Sequence, residues 1–289
     1  MTAESKRDGD STSNEPHPGL SPFRFPSFPS SCSSFSATLA TALSIVRRIA
    51  DTGCAIADLE WAVARPVSTL WERHLEREIR RYHDGCARMP SDPRKRERQL
   101  FRIGSAAWGA GLSALMLGDA RHSRSWLVRA ARDYRASAEL ASAGAWGRFV
   151  GVLKSRVIAG DEGAADDARW TLAADAATAE SPTGRYAACL AWLVLGEDAD
   201  AARLARSLAG VRFPRPVAAA LCALAAGASD DFNCAVGEVL HSFETRKRFL
   251  EDIRVADTVI ALQALADGRN MAARLSSPLL PPTRIRQDE

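Results

Sequence analysis

From residue 37 onward the apolar residues recur at three- and four-residue spacing, and valine and isoleucine do not alternate with polar positions over a strand-length run. That periodicity predicts a chain made almost entirely of amphipathic helices. Prolines and glycines punctuate it. A first helix is expected over residues 37–65, ended by Pro66, and a second over VSTLWERHLEREIRRYHDGCARM, ended by Pro90. Proline lacks the amide donor and its ring clashes with the preceding turn. SDPRKRER then supplies a capping residue and a first-turn proline for a third helix that closes at Gly118.

Beyond that point one unit recurs. GLSALMLGDARHSRSWLVRAARDY, GVLKSRVIAGDEGAADDARWTLAADA, ACLAWLVLGEDADAARLARSLAG and AALCALAAGASDDFNCAVGEVL each read as an apolar helix, a glycine, acids soon after, and a second helix. The turn glycines are Gly118, Gly160, Gly196 and Gly227. Glycine suits the left-handed cap of the first helix, and the acids suit the positive N-terminal end of the second. Each unit is therefore expected to be an antiparallel hairpin. Neither helix can bury its apolar face alone, so successive hairpins stack, with alanine letting the backbones approach closely.

The expected fold is all-α, an α-solenoid of stacked antiparallel helix hairpins. Glycine-to-glycine intervals of 42, 36 and 31 residues bracket the periods of tetratricopeptide and HEAT repeats. Over residues 99–244 the array resembles a degenerate tetratricopeptide-type repeat, with Trp108, Trp126, Trp146, Trp170 and Trp192 as expected packing anchors. The repeat domain is expected over residues 37–275, after a Ser/Pro-rich disordered leader at 1–36 and before an extended or disordered tail at 276–289.

The close of the chain has a different texture. HSFETRKRFLEDIRVADTVIALQALADGRN carries a charged stretch and then a helix with Val255, Val259, Leu262 and Leu265 on one face, ending near Gly268; MAARLSSPLLPP follows. Acidic residues, a small-apolar helix, a glycine-containing turn and then Ser before Leu-Pro make this ending similar to that of the bacterial immunity protein family numbered forty-nine. The resemblance covers about forty residues, and it implies a toxin-neutralising role as one form of protein binding.

Composition changes this picture little. Hydrophobic residues make up 46% of the 289, enough to bury a real core, and a net charge of +3 gives no global pull toward nucleic acid or membrane. The local balance is more informative. Between Glu72 and Arg135 there are fifteen Arg or Lys against eight Asp or Glu, whereas between Asp161 and Arg203 there are three against nine. Such opposite fields suit two solvated faces of different sign, and they could also steer a head-to-tail self-association.

The six cysteines form no CxxC pair and read as free thiols of a reducing compartment, with the cytoplasm as the expected location. The longest early apolar run, ATLATALSIV, stops at Arg47 and is too short to span a membrane.

Candidate chemistry is sparse. His74, His83 and Cys86 could suggest a metal, but nine residues put the two histidines on opposite faces of one helix; His17, His122 and His241 have no ligand pattern around them. Asp230, Asp231 and Glu238 could suggest the paired acids of a magnesium-diphosphate enzyme, but no second acidic motif faces them, and Asp230 and Asp231, like Asp166 and Asp167, sit where first-turn acids belong for capping reasons. Neither a GxSxG elbow nor a phosphate-cradling glycine loop occurs, so no catalytic residue, cofactor or metal is expected.

The run PRKRERQLFR offers Arg94, Lys95, Arg96, Arg98 and Arg102 to phosphates and Phe101 to a base, although Leu100 and Phe101 are expected to face the core. Arg148, Arg185 and Arg215 open equivalent helices, with Trp146 and Tyr186 beside the first two. In a solenoid they would form a row able to bind an acidic peptide, or else each would pair with an acid of a neighbouring unit, such as Glu180 or Asp161. The expected function is a non-catalytic protein-binding module of scaffold or immunity type. The alternative is a nucleic-acid-linked regulator using the basic helix at 93–117, and a helical-fold enzyme is a third reading that no motif supports.

Overall fold

A computed structural model describes residues 57–249 and 252–282, with side chains from Leu70 onward. The leader at 1–36, most of the helix expected over 37–65 and the last seven residues lie outside the described residues. Among the described residues ten α-helices follow one another: α1 Ala57–Ala87, α2 Pro93–Met116, α3 Ala120–Leu140, α4 Trp146–Ala159, α5 Ala164–Ala173, α6 Pro182–Leu195, α7 Asp198–Ala209, α8 Arg215–Ala226, α9 Ser229–Glu244 and α10 Asp257–Asp267. A 3-10 turn at Ala176–Thr178 joins α5 to α6, and no strand occurs among the described residues. The chain is an all-α helical repeat.

Pro66 does not end a helix as expected. It lies inside the 31 residues of α1. Proline removes one amide donor, but the rest of this long helix keeps its ladder, and its second half is anchored by Trp71, Glu78 and Tyr82 in buried positions.

The repeated turn is built as the glycines imply. Gly118, Gly160, Gly196 and Gly227 have φ of 76°, 57°, 76° and 66°. The residue after each donates its amide five positions back in the same way: Asp119 to Ala114, Asp161 to Arg156, Glu197 to Trp192 and Ala228 to Ala223, at 2.9 to 3.1 Å. This is the six-to-one bond of a Schellman cap, which satisfies a carbonyl the ending helix leaves open. Four hairpins are therefore closed by one device: α2/α3, α4/α5, α6/α7 and α8/α9.

From α2 onward consecutive helices pack against each other, and α4 also meets α6 across the hairpin boundary. Small residues make this possible. Gly104 and Gly151 both lie against the Tyr134 ring, where an added Cβ would come within 3.0 and 2.9 Å of it. Gly111 leaves room for Leu127, which is fully buried.

After α9 the chain turns back rather than adding a fifth hairpin. Ile253 and Val255 join the apolar cluster formed by Trp71, Trp108 and Trp126, and α10 then packs on α4, α8 and α9. Lys154 of α4, itself buried, donates to Asp257 and to Thr258 Oγ1. Arg269 donates to the Leu193 carbonyl at 2.7 Å and to Asp198 at 2.9 Å. The segment expected as a tail is irregular but held through residue 282: Leu279 is buried, and its carbonyl accepts from the Ala256 amide at 2.9 Å. The helices α2, α4 and α6 that open the first three hairpins are thus bridged by the chain's own return segment.

This bridging depends on Gly109, where a Cβ would meet Ile253 Cδ1 at 2.7 Å and Glu78 Cγ at 2.9 Å. Gly109→Ala is expected to cost about 1–3 kcal/mol through overpacking. Gly237→Ala, with nothing within 4 Å, is expected to stabilise by about 0.5–1 kcal/mol. Urea titrations of the two variants check both signs.

Candidate functional site

The row of arginines does not share one environment. Arg148 donates from Nε to Ser137 at 2.9 Å, pairs through its other arm with Glu97, and lies over the Phe101 ring with its guanidinium carbon 5.1 Å from the centroid. Its acid is thus Glu97 of the first hairpin, not Glu180 or Asp161. Arg185 donates to the Ala179 carbonyl at 3.1 Å, closing the 3-10 turn. Arg215 is exposed at the first position of α8 and has no hydrogen bond or ion pair among the described residues.

The aromatic neighbours are packing residues at the same edge. A Cβ at Gly184 would lie 3.0 Å from Trp146 Nε1, so the start of α6 sits directly on Trp146. Tyr186 is buried with its ring 5.3 Å from that of Phe213, and its hydroxyl has no partner among the described residues. Burial, reinforced by Asp257, pushes that hydroxyl above the usual tyrosine range.

Sequence reasoning missed the main ionic cluster. Asp167, expected as a first-turn acid, is 1% exposed and accepts from Arg135 at 2.5 Å and from Arg156 at 2.7 Å. Arg156 also pairs with Asp161, and Arg135 lies over the Trp170 ring at 4.8 Å, which stacks on Phe149 at 4.4 Å. These groups tie α3, α4 and α5 together. The partners stand 32 and 11 residues from Asp167, so no local pattern announces them.

Histidines and cysteines form no site. His74 is half-buried against Trp71, and His83 is exposed against Tyr82 and Trp126. No group of three or more His, Cys, Asp or Glu stands in metal-binding reach among the described residues. Cys189 is fully buried, as its apolar run implies, with its thiol pushed up to about 12 by burial first and Cys222 second.

Two clefts have a charge of their own. One, of about 610 Å³, lies between the end of α1 and the start of α2, walled by Arg81, Asp84, Arg88, Gln99 and Arg102. The helices nearly touch at its floor, where Gln99 donates to the Gly85 carbonyl at 2.8 Å. Arg81 is paired with Glu78, and Arg88 lies 3.7 Å from Asp84. Beside the cleft Arg94, Lys95, Arg96, Arg98 and Arg102 are exposed, and none has an acidic partner among the described residues.

Of the two residues expected in the core beside them, Leu100 is buried but Phe101 is 38% exposed. The ring of Phe101 is covered by Tyr134 and Arg148 rather than by the interior of the bundle. The second cleft, about 430 Å³, lies between α8 and α9 and is lined by small residues with Asp231 and Glu238 at its walls.

Comparison with family models, curated proteins and solved structures gives no match. No helix among the described residues is long and apolar enough to cross a membrane.

Two outcomes follow. Arg148→Ala is expected to lower stability by about 2 kcal/mol, because it leaves the largely buried Glu97 carboxylate without its cation, while Arg215→Ala stays within about 0.5 kcal/mol; paired denaturant titrations check the difference. Iodoacetamide at about pH 8 is expected to label exposed Cys86 and Cys234 in the native protein and Cys189 only after unfolding, read by mass spectrometry.

Proposed function

We propose that the protein is a non-catalytic protein-binding module of helical-repeat type, tetratricopeptide-like in its unit, which holds an acidic stretch of another polypeptide on the basic face of α1 and α2. The observation that carries this reading is the series of unpaired cations at the start of α2. That first turn holds Arg94, Lys95 and Arg96 and no acid, against the polarity of the helix. Cations at a helix N-terminus cost a few tenths of a kcal/mol each, and the neighbouring Asp92 carboxylate caps the helix at the Lys95 amide rather than pairing with one of these side chains.

Arginine suits carboxylates, because its planar fork can donate to both oxygens. A polypeptide is favoured over a nucleic acid because the one aromatic beside the run, Phe101, has its ring engaged by Tyr134 and Arg148. Neutralisation of a toxin is one case of such binding. A cytoplasmic setting goes with the reading, because Cys86, Cys189, Cys222 and Cys234 are free thiols.

The test is fluorescence anisotropy with a labelled oligoglutamate peptide and, in parallel, a single-stranded oligonucleotide of equal charge, at about 0.15 M salt. The peptide is expected to bind, and Arg94→Glu, Arg98→Glu and Arg102→Glu combined is expected to weaken it at least about tenfold with an unchanged melting temperature. Binding of the oligonucleotide alone, with a steep salt dependence, would replace this reading with the nucleic-acid regulator.

A further inference from the structure

We infer that the acidic partner of the α1/α2 face is a second copy of this chain, docked head to tail through the outer face of its α8/α9 hairpin. The inference rests on the protein-binding reading above and names its partner.

Stacking stops unevenly at the end of the array. The hairpins closed by α3, α5 and α7 are each covered by the next helix, α4, α6 and α8. The helix that follows α9 instead packs on α4, α8 and α9 as part of the return segment, and one face of α8/α9 stays open, with Ala219, Ala226, Asp231, Cys234 and Glu238 exposed. Its cleft is formed by Ala219, Cys222, Ala223 and Ala226 on one helix and Asp231, Cys234, Ala235 and Glu238 on the other. Both sets follow the i, i+3, i+4, i+7 spacing of a single helical face, so small residues floor a groove with acids along one wall.

Charge selects the occupant. Asp231 and Glu238 are exposed, unpaired among the described residues and two turns apart, about 10 Å along the helix. Lys95 and Arg102 on α2 are exposed, unpaired and separated by the same two turns, with Arg98 between them. The two surfaces belong to the first and last hairpin-forming regions of one chain, with α3 to α7 between them; they are opposite in sign and equal in spacing. Because the contact joins unlike patches, it is heterologous: copies add in one direction until a ring closes or a chain grows.

Sedimentation velocity of the full chain, over about 5–200 µM at about 0.05 M and 0.5 M salt, reads the outcome. Association is expected at low salt and its loss at high salt. The triple reversal Lys95→Glu, Arg98→Glu, Arg102→Glu, and separately Asp231→Lys with Glu238→Lys, should each weaken association at least about tenfold, and an equimolar mixture should restore it. Unchanged melting temperatures exclude misfolding as the cause.

A monomer at every concentration and salt, or association that neither variant weakens, would overturn the inference. The oligoglutamate titration separates the two levels. A monomer that binds the peptide defeats only the second copy as partner, and a monomer that binds nothing acidic defeats the protein-binding reading as well.

Discussion

The packing of the whole array depends on one junction, where α4 meets the returning chain. Val152 belongs to the cluster of Trp71, Trp108 and Trp126, while its neighbour Leu153 belongs to the cluster that runs through α6, α8 and α9. The return segment straddles the same line, with Val255 on one side and Ala256 on the other. A solenoid is held only by contacts between adjacent units, so its ends fray independently. A segment that touches α2, α4, α6 and α9 couples the units instead, and the buried Lys154–Asp257 pair fixes its register on α4. A buried charge needs its partner, which penalises every displaced alignment of that segment.

The close approach this requires comes from missing side chains. Gly109 admits Ile253 and Glu78, Gly184 admits Trp146, and Gly104 and Gly151 grip Tyr134 from two helices. Each contact brings backbones together at a cost in helix propensity of up to about 1 kcal/mol per glycine, offset by the apolar area buried. The arginines serve the same end. Arg135, Arg148, Arg156 and Arg269 each pair with an acid of another element, so part of the positive charge is spent on structure.

What remains unspent carries the functional argument. Once the internally paired arginines are removed from the count, the free cations concentrate at the start of α2 and free acids stand on α9. The faces of α2 and α9 that carry these charges are exposed and open to a partner. The proposed contacts use those, and they use charge because the exposed large apolar residues among the described residues are few, Leu70, Phe101, Leu140 and Val211.

The sequence by itself determined the helices, the four hairpins and their caps, because periodicity and glycine–acid turns are local and act over a few residues. It misjudged Pro66, which lies inside α1, a helix whose later turns are anchored by buried Trp71, Glu78 and Tyr82. It placed Arg148, Arg185 and Arg215 at equivalent positions, yet only tertiary structure decided that Arg148 holds Glu97, that Arg185 closes a turn and that Arg215 is exposed. Asp167 looked like any first-turn acid. Its burial between Arg135 and Arg156, and the return of residues 253–282 across α4 and α6, depend on contacts between residues far apart in the chain. Such contacts are chosen by which surfaces fit in three dimensions, and no spacing along a single helix encodes that fit.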